Sequence, residues 1–514
     1  MKSYYSSLES IPLNLLGKNH KLSNISLNQS KRIFDEIEKE VFENFINNKS
    51  DKVLQEKFLP ITKDIIFEVY KVIRSLIEIK LCKQKNIKIF FDRINSPIFS
   101  KLLNDSSPKR INFENNYSPS IKQKIKLFLK NIEKKINIKK PYDFHNQSLL
   151  LNEFVKAKDI KYNYLWPEIF IAPFKNKNLI IEFLNENISL ILKSLFIKFD
   201  INDKYFLRSL LILNNHVSKQ FQIVNNLFYS FSNTNFLRVI SDKLLGGTPQ
   251  ILGRVLNLIY ISNQKKVIRF AHGGERVFFD DKLWVITELI NSSEYYTHGI
   301  PEKISVEKKI KKLPVELRKL MPSKIKTLGS RKHQMIYETS KGLNLKVKKK
   351  VIFFPGCFLG ERLLHNPFFK PSDIFLADYI TTFINQINAL DYDIFIKVHP
   401  GGIQQDTFFN SLGTKIIKDS FNLKHYSNSI LAFDFAGTAF IDSLSSNFPI
   451  ILINNYARPF SSLYLNDLKK RCEILEPYFS NNNLRFKNED IKFSLKKAVE
   501  KSEYSEKFSS KFFF

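Results

Sequence analysis

The chain has 514 residues, 43% hydrophobic and 14% aromatic, so it has core enough for two or three domains and is too apolar to be disordered. Its formal charge of +30 suits nucleic acid, an anionic membrane surface or phosphorylated substrates, and lysine-rich solvated faces alone would also give it. Three scattered cysteines without CxxC spacing argue against a disulfide scaffold or a zinc site and fit a reducing cytoplasm.

In chain order, residues 1–29 are polar and read as a loosely packed arm. No charged start leads into a long apolar segment, so no signal peptide is expected, and no transmembrane run is evident. Residues 30–47 and 61–79 carry helical stripes; in the second, Ile61, Ile65, Ile66, Val69, Val72, Ile73 and Leu76 recur at helical spacing after Pro60. A strand is expected at 87–91 and a lysine-rich helix at 121–136. Residues 1–139 show no chemical motif and are expected to be a helical N-terminal elaboration.

From 140 to 300, short apolar runs (169–172, 179–183) alternate with helical ones (188–199, 205–213), the pattern of an α/β unit. Lys266–Phe270 and Ala271 form a run that ends at His272-Gly273-Gly274. Further strands are expected at 283–288 and 294–297, the latter ending at His298-Gly299. Residues 301–349 are charged and read as the crossing between two domains. A second α/β domain is expected over 350–480: strand 350–354, helix 371–390, strand 394–398 ending at His399-Pro400, run 429–433, a short helix Thr438–Leu444, and run 450–453. Residues 481–514 are expected to be a helix and a frayed end.

Parallel α/β sheets bind ligands beyond the carboxyl ends of their strands, and three such ends carry chemistry. Lys397 and His399, two apart on a strand, face the same side, where a cation and an imidazole can meet a phosphate; His-Pro alone can also merely end a strand. Asp434 is followed by Gly437-Thr438 at a helix start, where free amides and a hydroxyl suit an anion, with Asp442 one turn on; an ordinary helix cap is the plain alternative. His272 could act as a base, Gly273 and Gly274 let backbone approach a ligand, and Arg276 could grip phosphate or acceptor. Glu361 is an alternative base, with Glu288 and His298 behind it. No P-loop, dinucleotide fingerprint, HExxH or GxSxG is present. No metal site or bound cofactor is expected. Nucleic acid is not expected either, since neither a basic stripe interleaved with aromatics nor a known module is seen.

Lys397–Pro400 followed by Asp434–Asp442 resembles the C-terminal half of GT-B enzymes that build bacterial surface polysaccharides. The nearest groups are the capsule and lipopolysaccharide Kdo and sialic acid transferases, with their His-Pro and later Ser/Thr motifs. The teichoic-acid glycerophosphotransferases are similar too, with an upstream His-Gly, a Lys-x-His-Pro and an Asp-x-x-Ser/Thr helix start. The strand leading to His-Gly-Gly at Arg269–Gly274 is similar to a further family of surface-carbohydrate transferases. The likeness spans roughly residues 265–460. It implies two Rossmann-like domains facing a cleft: an acceptor domain over 140–300 and a donor domain over 350–480. His399 and Thr438 would then hold the phosphates of a nucleotide-sugar donor, with Lys397 assisting, Pro400, Asp434, Gly437 and Asp442 beside them on the donor side, and His272 facing a glycan or lipid-linked acceptor. The acidic-acidic-Gly motif of the Kdo and sialic acid transferases is reduced here to Gly360-Glu361, and their hydroxyl pair to Gly437-Thr438. The expected activity is metal-independent glycosyl transfer to a surface glycan; transfer of a polyol phosphate from a CDP-linked donor, or non-enzymatic binding of a polyanion, are the alternatives. The expected setting is the cytoplasm, with any contact to the inner face of an anionic membrane peripheral and electrostatic.

Overall fold

A computed structural model describes residues 3–5, 11, 13–18, 24–46, 58–90, 97–103, 141–145, 148–164, 177–231, 240–247, 251–343, 347–359, 369, 371–399, 402, 405–419 and 421–514. The helix expected at 121–136, the run at 169–172, Gly360-Glu361 and Pro400 lie outside the described residues.

The fold is α/β, with two six-stranded sheets, both parallel throughout. In chain order the described strands are β1 (Ser3–Tyr5), β2 (Lys88–Phe90), β3 (Tyr142–His145), β4 (Tyr162–Tyr164), β5 (Lys243–Gly246), β6 (Lys266–Phe270), β7 (Glu294–Thr297), β8 (Lys324–Thr327), β9 (Lys350–Phe354), β10 (Asp393–Lys397), β11 (Lys415–Ile417), β12 (Ile430–Phe433), β13 (Ile450–Ile453), β14 (Glu473–Leu475) and the antiparallel pair β15 (Tyr478–Ser480) and β16 (Asn483–Arg485). The first sheet runs β4-β3-β5-β6-β7-β8 and the second β11-β10-β9-β12-β13-β14. Each is a Rossmann-like, doubly wound arrangement, and together they give a GT-B-like pair. The second sheet reverses its order between β9 and β12, the crevice where such sheets bind ligands.

The strand sequences explain the layering. Val351 and Phe353 of β9 enter one hydrophobic cluster, and Ile352 and Phe354 enter the other; β12 and β13 divide in the same way. A strand buried on both faces needs a continuous apolar run, and each of these is one. The larger cluster also takes in helix Thr62–Gln84, so the N-terminal helices are continuous with both sheets.

Four expectations change. The run at 283–288 is helix Lys282–Leu289, because an unbroken apolar run carries no period to tell helix from strand. The run at 179–183 lies within helix Lys177–Lys198. The expected crossing contributes helix Ile300–Lys311 and edge strand β8 to the first sheet before helix Arg331–Lys341. The N-terminal arm is docked: β1 pairs with β2, Ile11 and Leu16 are buried, and the Gly17 amide donates to Asp378 Oδ1 at 2.8 Å.

The tail does not fray. After helix Asn488–Lys501 comes helix Ser505–Phe512, with Phe508, Phe512 and Phe513 buried. Phe512 packs on Phe508 (4.4 Å between ring centroids) and on Phe278 of the first half (5.3 Å). Phe512→Ala should therefore lower unfolding stability by about 3 kcal/mol, read as a drop in the urea midpoint; a frayed end would leave it within about 0.5 kcal/mol of wild type.

Candidate functional site

The reversal point of the second sheet is stitched by Asp434. Its buried carboxylate accepts from the Gly356 amide after β9 and from the Tyr379 hydroxyl, and its carbonyl accepts from Asn455 Nδ2 after β13 at 2.8 Å. Burial, then the neighbouring Asp434 charge, pushes the Tyr379 phenol well above its ordinary value, so Tyr379 stays a donor. Asp434, read from sequence as donor-binding, thus has its carboxylate committed to joining strand ends. A pocket opens beside it, lined by Gly356, Cys357, Ala436, Asn455 and Arg458, with Phe279 reaching in from the first half.

The His-Gly-Gly loop after β6 meets the second domain directly. A Cβ on Gly273 would lie 3.3 Å from Thr438 Oγ1 and 2.3 Å from Glu275 Oε2. Gly274 has φ +80°, and a Cβ there would sit 3.4 Å from both Ile441 Cγ2 and His298 Nδ1. That positive dihedral is one that glycine adopts without strain. Two motifs 165 residues apart, Gly273 and Thr438, therefore share one seam between the strand ends of both sheets. His272 is exposed beside it.

Arg276 does not reach outward. Its guanidinium is buried, 3.0 Å from Glu275 and 3.3 Å from Glu288, and lies over the Trp284 ring. The phosphate contact expected of it gives way to these carboxylates, and Glu288 is buried with it. Burial alone would raise the Glu275 carboxyl, but Arg276, then Arg458 and His272, outweigh it and hold it below its ordinary value.

Asp442 is likewise committed to the seam. It lies 2.7 Å from Lys332 Nζ and 3.2 Å from His333 Nε2, both on helix Arg331–Lys341. His333 Nδ1 is 2.8 Å from Ser330 Oγ, and its ring stacks on Phe513 at 4.3 Å and abuts His298 at 5.4 Å. His298 is buried, with Nδ1 3.0 Å from Glu302 Oε2.

Lys397 and His399 lie at the end of β10, separated from β12 by β9. At the usual strand spacing that is about 10 Å. Lys397 Nζ is 3.4 Å from the Ile417 carbonyl, and burial, partly offset by Asp419, lowers its pKa. His399 is exposed, and its backbone carbonyl accepts from Gly402 N at 3.1 Å. Its imidazole is held below the ordinary value by surrounding protein and then by Lys397. Among the described residues, no group of three or more His, Cys, Asp or Glu side chains is placed to hold a metal ion.

Sequence reading missed one clamp. Segment 278–281 runs antiparallel to segment 458–461: Phe279 and Phe460 form a bridge, Asp280 N donates to the Pro459 carbonyl at 2.9 Å, and Ser461 N to the Phe278 carbonyl at 2.8 Å. Arg458 Nε donates to Asp281 Oδ2 at 3.1 Å, with its guanidinium 4.0 Å from the Phe279 ring centroid. The signal available was Arg458-Pro459 just past an apolar run, a place where loop residues carry function.

No protein-family model and no curated protein matches the chain. Solved structures are similar in fold only. The UDP-GlcNAc 2-epimerase of Methanocaldococcus jannaschii is 10% identical over 70% of this chain and 91% of its own, with a TM-score of 0.40. The UDP-GlcNAc 2-epimerase from Neisseria meningitidis is 9% identical over 70% and 83%, with a TM-score of 0.32. Phytolacca americana UGT2 is 9% identical over 72% and 97%, with a TM-score of 0.34.

The seam has a pH signature. Burial drives the His333 imidazole from 6.5 to about 4, against the pull of Asp442. The unfolded chain takes up that proton near pH 6.5 and the folded one only near 4, so stability is full above about 6.5 and is lost as pH falls between the two. At ~1.4 kcal/mol per pH unit this is roughly 3 kcal/mol. Asp442, also depressed, loses its contribution in the same direction at lower pH. The urea midpoint should fall over that window in the wild type, and His333→Gln should remove most of the fall.

Proposed function

We propose that this chain transfers a glycosyl group from a nucleotide-activated sugar to a surface-glycan acceptor. The reading is carried by one observation: the His272-Gly273-Gly274 loop from one sheet lies against Thr438 from the other, beside a pocket at the reversal point of the second sheet. Motifs that resemble acceptor and donor elements thus meet where two doubly wound sheets turn their strand ends together.

In this reading the acceptor hydroxyl attacks the anomeric carbon. The bond from that carbon to the nucleotide's phosphate oxygen breaks, and the oxygen leaves with the electron pair. His272, exposed at the seam, takes the hydroxyl proton. Charge growing on the leaving phosphate is met by His399 and Lys397 at the end of β10 and by Thr438 and Gly437 at the helix start. Asp434 fixes the two strand ends that frame the donor, and Arg458 closes the pocket wall through Asp281. Glu361 is the alternative base, and Pro400 stays with His399 among the donor-side residues. The net charge of +30 draws in anionic donor and, electrostatically, an anionic membrane that bears lipid-linked acceptor. No described helix is long and apolar enough to cross a membrane.

Titration calorimetry with UDP, CDP, CMP and GDP tests the donor half. One nucleotide should bind at micromolar affinity, and His399→Ala should weaken it about tenfold or more, the loss expected for one charge-assisted hydrogen bond. Binding of no nucleotide, or binding indifferent to His399, would overturn the assignment. Phosphodiester in the product glycan would instead identify a polyol phosphotransferase.

A further inference from the structure

The first sheet holds a guanidinium that nothing described in the protein completes. Arg269, on β6, is 1% exposed, and Nε, Nη1 and Nη2 all lack a hydrogen-bond partner. The carboxylates that act on its surroundings are already engaged: Glu288 lies 3.3 Å from Arg276 Nη2, and Asp64 lies 3.1 Å from Arg254 Nη2. Arg254 keeps a buried Nε without a partner, and Asn257, one turn on along helix Ile251–Ser262, has both amide atoms unpartnered. The Tyr295 hydroxyl is unpartnered as well. A buried charge whose donors make no hydrogen bond is costly to hold. Burial, eased by Glu288 and opposed by Arg254, draws the Arg269 pKa down to about 10.

The topology indicates what the space is for. In register, Arg269 sits between Gly246 on β5 and Tyr295 on β7. Gly246 offers no side chain to the guanidinium from the β5 side. The order of the first sheet, β4-β3-β5, reverses between β3 and β5, and Gly246 ends β5 at that reversal. Helix Ile251–Ser262 starts just beyond, with Arg254 in its first turn, and helix Thr62–Gln84 brings Lys63 and Asp64 alongside. The free amides of a helix start, a planar guanidinium fork and an absent side chain are what a tetrahedral or planar oxyanion requires.

We propose that Arg269, Arg254 and the start of helix Ile251–Ser262 form a second, buried site for an oxyanion, a phosphate or carboxylate group, at the reversal point of the first sheet. Its source is either free phosphate or an acidic group on the acceptor, since the site belongs to the sheet opposite the donor pocket. The site stands on its own geometry, whether or not the chain transfers sugars.

The test uses the whole protein at constant ionic strength, with inorganic phosphate as probe. Equilibrium dialysis should show one saturable phosphate whose affinity falls at least tenfold in Arg269→Met, equally in the wild-type and His399→Ala backgrounds. In chloride buffer Arg269→Met should melt above the wild type, because it removes a buried charge, and saturating phosphate should close that gap by stabilising only the wild type. Should Arg269→Met fail to fold, phosphorus NMR of the unmutated protein still decides: saturable broadening displaced by sulfate supports the site. Displacement by glucuronate as well assigns the anion to an acidic acceptor; displacement by phosphate and sulfate alone assigns it to free phosphate. Phosphate acting no differently from chloride, or retained equally by Arg269→Met, overturns the proposal and leaves only enclosed water around the guanidinium. Nucleotide binding insensitive to His399 would sink the donor assignment and leave this result untouched.

Discussion

Two sheets can face each other closely only where one of them presents no side chains. Here that place is Gly273-Gly274, pressed against the first turn of helix Thr438–Leu444. That approach stands beside the 278–281 clamp and the Phe278–Phe512 contact across the same seam. It brings Glu275 under Gly273, sets His298 against Gly274, and leaves His272 as the side chain of the loop that stays in solvent. The helix is held at its far end by buried Arg471, which donates to the Leu444, Ser443 and Phe448 carbonyls at 2.9–3.1 Å. A cation at a helix carboxyl end satisfies carbonyls that lack intrahelical partners and favours the dipole.

The seam is polar as well as tight. Arg458 with Asp281 and His333 with Asp442 are buried, and Lys332, 32% exposed, joins Asp442 from the rim. Buried pairs of this kind add little net stability when intact, yet removing one partner strands the other at a cost of about 3–5 kcal/mol. They therefore specify one arrangement of the two halves more than they strengthen it. The hydrophobic share comes from Phe278, Phe508, Phe512 and Phe513, which belong to one cluster with the apolar face of the second sheet.

What could be read from the sequence follows physical lines. Strands β9, β12 and β13 were legible because both faces are buried and each is an unbroken apolar run stopped by Pro, Asp or Asn. The meeting of His-Gly-Gly with Gly437-Thr438 was legible as chemistry, since both motifs sit at strand ends, though their contact was not. Side-chain direction was the weak point. Arg276, Asp434 and Asp442 were of the right type for a ligand and turned out to be engaged with protein, because local spacing does not say which neighbour reaches a charge first. The clamp of 278–281 on 458–461 had only Arg458-Pro459 past an apolar run to mark one side of it, because it is an irregular pairing between segments 177 residues apart. Helix Lys282–Leu289 was misread for lack of a period, and the N-terminal arm because its partner lies in the other half of the chain.

That last contact has a consequence for how the molecule is made. Gly17 donates to Asp378, 361 residues later, and the Lys18 carbonyl accepts from Arg485, 467 residues later. At roughly 5–20 residues per second, a ribosome needs on the order of 20–70 s to expose the first of these seats after the arm itself has emerged. For that interval β1 can already pair with β2, but Gly17 and Lys18 lack these two partners. Docking of the arm is thus a late event, after most of the chain has emerged, and the time spent waiting is when a chaperone has its opening.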